Sequence, residues 1–209
     1  MNYSEIQREV KALLMDQSPT LLVTIPDLVN EAIGQIAEEV RFPELRQVSS
    51  VTTSTTTYYV NMPTTFSSRL KYAGNSDGEY EILDELTELI KKYPALDEVG
   101  DIEFVVCEGG ILYYQPIPST AETITCIGYH TPSLLVNDTD TPSFIPFFLH
   151  REAIVNRVVS NAYNIIEDGM EADKVNTKLF MSLAEVGLNR VREYISRRRS
   201  VVSKSNWDY

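Results

Sequence analysis

A chain of 209 residues, 43% hydrophobic and 23% charged, holds enough apolar material for one large core or two small ones and has the composition of an ordinary globular protein. No apolar run reaches the roughly 18 residues needed to cross a bilayer, and the opening Met1 to Glu5 lacks the basic and apolar regions of a signal peptide, so synthesis in the cytoplasm and no membrane partner are expected. The net charge of −12 argues against phosphate-neutralising DNA binding, and it is uneven: from Leu188 onward six basic and two acidic residues give +4, which leaves −16 on the first 187 residues.

Glu5 to Met15 places Ile6, Val10, Leu13 and Leu14 on one helix face, and Gln17-Ser18-Pro19 breaks the pattern. For the second helix Thr24 is the expected N-cap, with Pro26 in the first turn and Asp27 where a carboxylate favours the helix dipole. Leu28, Val29, Ala32, Ile33, Ile36, Ala37 and Val40 form its apolar stripe, and Phe42-Pro43 ends it. The Ser/Thr-rich run Gln47 to Thr57 leads into Tyr58-Tyr59-Val60, which predicts two strands joined by a polar turn among Thr53 to Thr56. Arg69 to Gly74 is a further expected strand, followed by the turn formers Asn75 to Gly78. Ile82 to Tyr93 returns to helical spacing, with Leu83, Leu86, Leu89 and Ile90 on one side and Asp84, Glu85 and Glu88 on the other.

Gly100 to His130 reads as three strands of one sheet: Asp101 to Cys107, Ile111 to Gln115 and Glu122 to Tyr129. The Glu108-Gly109-Gly110 link between the first two is a hairpin signal, because glycine takes positive φ without steric cost. A polar connector, Asn137 to Pro142, marks the return to helices. Pro146 to Asp168 is expected as one long helix with Val155, Val158, Val159, Ala162, Ile165 and Ile166 on its stripe, ended by Gly169. Glu171 to Arg199 is the last helix, with Val175, Leu179, Phe180, Leu183, Gly187, Leu188, Val191 and Ile195 on one face. Ser200 to Tyr209 has no periodicity and reads as a flexible docking tail carrying Trp207 and Tyr209.

The fold class expected is α+β, an antiparallel helical bundle with an inserted antiparallel β-sheet or sandwich module. Residues 1–46 and 137–199 supply the bundle, 47–136 the β module with its short helix at 83–93, and 200–209 the tail. Cys107 and Cys126, placed on two strands of the same sheet, are expected to be buried free thiols. His130 and His150 belong to no HExxH, CxxC or GxSxG pattern, and Glu108-Gly109-Gly110 joins two strands, so it is no phosphate loop. No catalytic residue, cofactor or metal site is therefore expected, with hydrolysis by a Glu pair in the sheet the weakest alternative. A carbohydrate- or protein-binding recognition module is the stronger rival, since Tyr58, Tyr59, Tyr113 and Tyr114 offer stacking rings, although adjacent tyrosines on a strand point to opposite faces.

In that order of elements the chain resembles the podovirus head-to-tail adaptor proteins of tailed phages, and the related gatekeeper or tail tubular proteins of T7-like phages. The resemblance lies in Ile25 to Ala32, Tyr59 to Pro63, Gly109 to Pro118, Tyr129 to Leu135 and Thr141 to Leu149, which together span nearly the whole chain. It implies a ring, dodecameric in such families, in the virion neck between portal protein and tail nozzle, through which double-stranded DNA passes without specific binding. Carried onto this sequence, Arg190 to Tyr209 would dock on the portal through Arg190, Arg197, Arg198, Arg199, Trp207 and Tyr209. The β module, with Tyr59, Tyr113 and Tyr114, would face tail proteins. Asn2 to Ser18 departs from the family's pattern.

Overall fold

The computed structural model describes all residues except 16–17, 65, 168–173 and 206–209, and the side chains of all of these but 67–69 and 199–205. In chain order the elements are α1 (Tyr3–Leu13), α2 (Pro19–Glu39), β1 (Arg46–Thr52), β2 (Tyr59–Asn61), β3 (Phe66–Gly74), β4 (Glu81–Ile82), α3 (Leu86–Lys92), β5 (Phe104–Glu108), β6 (Ile111–Gln115), β7 (Thr123–His130), α4 (Asn156–Ile166) and α5 (Val175–Ser205). The chain is mixed α and β and divides into two units: Met1–Phe42 with Pro132–Tyr209, which is helical, and Pro43–Thr131, which carries the sheets.

Both boundaries differ from the expected 46/47 and 136/137, and side-chain contacts explain the shift. Phe42 is buried edge-on against Phe144, ring centres 4.8 Å apart, so it belongs with the helices. Leu135 is buried too, and its N–H and carbonyl are both held by the Asn30 side chain at 2.8 and 3.1 Å, which draws 132–136 out of the β unit.

In the helical unit α1 starts two residues early because Asn2 closes a capping box: its side chain accepts from Glu5 N while the Glu5 carboxylate accepts from Asn2 N, each at 2.9 Å. The N-cap of α2 is Ser18, whose hydroxyl accepts from Leu21 N at 3.4 Å. Thr24, the expected cap, instead donates to Leu21 O at 2.8 Å, and Pro26 lies inside the helix. The stripe of α2 is buried as expected at Leu28, Val29, Ala32, Ile33, Ile36 and the flanking Val40, joined by Leu21 and Ile25.

The long helix expected over 146–168 changes pitch twice. A 3₁₀ turn at Phe147–Leu149 passes into a π-helical turn at His150–Val155 and then into α4. Gly187 of α5 sits against this turn so closely that a Cβ would come within 2.5 Å of the Glu152 carbonyl carbon and oxygen. α4 packs against both α2 and α5, and α1 packs on α2, α4 and the π turn. Ile165, expected on the buried stripe, is 53% exposed.

The β unit holds two sheets. One runs β1-β7-β3, antiparallel throughout; the other runs β2-β6-β5-β4 and is mixed, because β4 pairs parallel to β5. The three strands of Gly100 to His130 therefore do not share a sheet as expected: β5 and β6 form the hairpin, with Gly109 and Gly110 at φ +60° and +79°, and β7 lies in the other sheet. Val51, Ala73, Ile124 and Cys126 from one sheet and Val105, Cys107, Leu112 and Tyr114 from the other fill one shared core. The helix expected over 82–93 shrinks to α3, since Leu83 N and Glu81 N donate to Val105 O and Glu103 O at 2.9 Å and extend 81–83 alongside β5. Pairing along β5 outweighs helical spacing there.

Candidate interaction surfaces

The described residues are poor in the groupings that chemistry requires. Among them no three His, Cys, Asp or Glu side chains are placed to hold a metal ion, and no helix is long and apolar enough to cross a membrane. His150 is buried, its Nε2 2.8 Å from Ile145 O, and burial lowers its pKa below the usual imidazole value. His130 is buried edge-on against Phe66, 3.4 Å from the Ser49 hydroxyl, and shifted the same way for the same reason. Cys107 and Cys126 are free, and burial pushes their thiols up to about 11 and about 12, which makes them unreactive core residues. A recess of about 290 Å³ is lined by Asp77, Glu79, Asp101 and Glu122, but Glu122 already accepts from Asn75 Nδ2 at 2.5 Å and the Tyr80 hydroxyl at 3.2 Å.

The aromatic surface of the β unit is better defined. Strand pairing sets Tyr59 of β2 opposite Tyr113 of β6, with ring centres 6.4 Å apart, and Tyr58 completes the group at 5.4 Å from Tyr59 and 6.3 Å from Tyr113, stacked on the latter at 22°. Tyr59 is 43% exposed and the other two are half-buried. Tyr114 does not belong to this surface. Side chains alternate along β6, so its ring turns into the core, fully buried, and its hydroxyl accepts from Ser54 N at 2.8 Å.

At the other candidate surface the helix runs on where a flexible tail is expected: α5 continues to Ser205, so 200–205 are helical. Arg190 pairs with Glu152, Arg197 with Glu193 at 3.6 Å, and Arg198 lies 5.7 Å above the Tyr194 ring. Arg192, not singled out beforehand, bridges Glu39 and Glu185 at 3.6 and 3.1 Å. The Arg199 side chain, Trp207 and Tyr209 lie outside the described residues.

One apolar surface escaped the reading of the sequence. The stripe expected on α5 splits into two opposite faces: Leu188, Val191 and Ile195 are buried with Ala184 and Gly187, whereas Val175, Leu179 and Leu183 are exposed and joined by Val186. A helical plot offers the signal, since at about 100° per residue Leu179 stands about half a turn from Leu188 and about a third of a turn from Val191. Phe147 and Phe148 are a second exposed pair, at 71% and 66%.

No curated protein matches this sequence. The family model described as SU10 adaptor protein matches residues 1–204. The chain belongs to that family of phage head–tail adaptors and is thus a structural component of a bacteriophage particle, made to associate with other virion proteins.

Proposed function

We propose that this protein is the ring-forming adaptor of the virion neck, joining the portal protein to the tail nozzle and extending the DNA channel. The family match along nearly the whole chain carries the reading. The architecture supports it: a helical unit made from both ends of the chain and a β unit inserted between them give one polypeptide two surfaces of different chemistry. In this reading the helical unit is an antiparallel bundle whose basic end, Arg190 to Tyr209, docks on the portal, and the Tyr58, Tyr59 and Tyr113 cluster meets tail proteins. The −16 carried by the first 187 residues suits a bore that repels DNA phosphates and lets the genome slide.

The test is a pull-down on the cognate portal. Deleting 200–209 should abolish retention while circular dichroism stays helical, and Trp207→Ala should weaken binding by about 2 kcal/mol or more, as loss of an aromatic anchor does. Unchanged retention of the deletion variant rejects the docking assignment, and failure of the intact protein to bind the portal rejects the adaptor reading.

A further inference from the structure

We infer that copies of this chain join head to tail through two helices of the helical unit, the outward face of α5 of one copy lying parallel on the outward face of α2 of the next. The inference rests on the ring reading and names the faces that close it. On α5, Val175, Leu179, Leu183 and Val186 are 61%, 51%, 42% and 50% exposed, at spacings of four, four and three residues that keep them in one line opposite the buried Leu188, Val191 and Ile195. The same line continues into Arg190, Glu193 and Arg197, with Glu193 paired to Arg197. An apolar helix face that its own subunit leaves uncovered is what an oligomer covers.

The complement stands on α2. Opposite its buried stripe run Val23, 76% exposed, then Asp27, Glu31 and Glu38, all exposed. α4 packs against both α2 and α5, and each turns its buried stripe inward, so the two outward faces are separate surfaces of one unit. A heterologous contact requires two different faces of that kind, and only such a contact closes rings of more than two copies.

The spacings match when the helices lie parallel. With Leu183 set beside Val23, Arg190 lies about 10 Å farther along α5 and Glu31 about 12 Å farther along α2, at a rise of about 1.5 Å per residue. Arg197 and Glu38 then fall about 21 and 22 Å along. Leu183 then meets Val23 and both arginines meet carboxylates, while Leu179 and Val175 reach to the start of α2 and beyond it; antiparallel, the arginines themselves would lie beyond Pro19, off the end of α2. Arg190 and Arg197 also hold Glu152 and Glu193 within their own subunit, and their side chains are 57% and 83% exposed; in this pairing they serve the ring, and the portal contact falls to the rest of the basic end.

Sedimentation velocity on the full-length chain tests this, using Leu183→Asp and Val23→Asp, two exposed positions whose variants should keep the wild-type circular dichroism and Tm. The wild type should self-associate with rising concentration and dissociate as salt is raised. Each variant alone should be monomeric. Mixed in equal amounts they should form a dimer of one copy each and nothing larger, because the intact α5 of one meets the intact α2 of the other. Arg197→Glu should weaken association at least tenfold, and adding Glu38→Arg to it should recover most of the loss. A monomeric wild type overturns the inference, as does Val23→Asp that assembles normally, which would mean α5 meets α5, or a mixture that yields no dimer. These outcomes leave the adaptor reading to its own portal pull-down, and an assembled ring that no portal retains would reject that reading and not this pairing.

Discussion

Glu167 shows how much of this fold depends on single side chains at the ends of elements. Its carboxylate follows the last residue of α4 and accepts four hydrogen bonds from the start of α5: the Thr177 hydroxyl at 2.7 Å, Thr177 N at 3.1 Å, Asn176 Nδ2 at 3.0 Å and Asn176 N at 3.2 Å. These bonds, that of the Thr177 hydroxyl foremost, hold its pKa below the usual carboxylate value. A lowered pKa means that the unfolded chain binds the proton first as the solution acidifies. The stability Glu167 supplies is therefore complete above its ordinary pKa and lost as pH falls through the folded one. His130 and His150 act with the same sign at higher pH: both are held below the ordinary imidazole value by burial, so stability should begin to fall once pH drops below about 6.5. Urea unfolding should accordingly give a lower midpoint at about pH 5.5 than at about pH 7.5. His150→Asn should shrink that difference whatever it does to stability at neutral pH, and an unchanged difference would remove His150 from the account. None of this was legible in the sequence, where Glu167 is one acid among thirty and His150 has no neighbour that marks it. Both side chains are fixed by partners that only the folded chain brings near.

At the scale of elements, what the sequence conveyed well is where apolar periodicity and burial coincide. The stripe of α2, the strand at 111–115 and the Gly109-Gly110 turn are where spacing and turn chemistry put them. It failed where backbone pairing or two-sided exposure intervened, as along β4 and on the outer face of α5. Periodicity reports that a helix has apolar rows and says nothing of which row a partner covers. The π turn at 150–155 was likewise invisible, because a wider turn leaves no compositional mark. Gly187 is its counterpart, since the glycine lets the α5 backbone approach the Glu152 peptide. Gly187→Ala should gain a little from helix propensity, roughly 1 kcal/mol. That gain is outweighed by a contact in which the neighbour is backbone and cannot swing aside, so a net loss of about 1–3 kcal/mol is expected, the usual range for overpacking. Thermal melts of the variant should show a lower Tm. An equal or higher Tm would mean that α5 and the π turn separate at little cost.

For the whole molecule, the insertion of one unit into another sets a condition that the β unit meets. Arg46 and Tyr129 are paired across β1 and β7, so the two points at which the chain enters and leaves the β unit are neighbours. The order helix, sheet, helix could be read from the sequence because the periods change from 3.6 to 2 and back. The pairing that brings Arg46 to Tyr129 could not, because it is long-range and β1 is mostly polar, with Val51 as its single buried side chain. A unit whose ends meet and whose two sheets share one core should fold when cut out. Residues 43–131 expressed alone are therefore expected to give a strand-type circular dichroism spectrum and a single cooperative urea transition. Cys107 and Cys126 supply an internal check, since both are buried and their thiols are raised to about 11 and about 12. In the excised unit they should resist a thiol reagent at neutral pH until urea opens the core, and then both should react within the same transition. Immediate reaction without urea would show that the two sheets do not hold their core without the helices, and that the chain folds as one cooperative body.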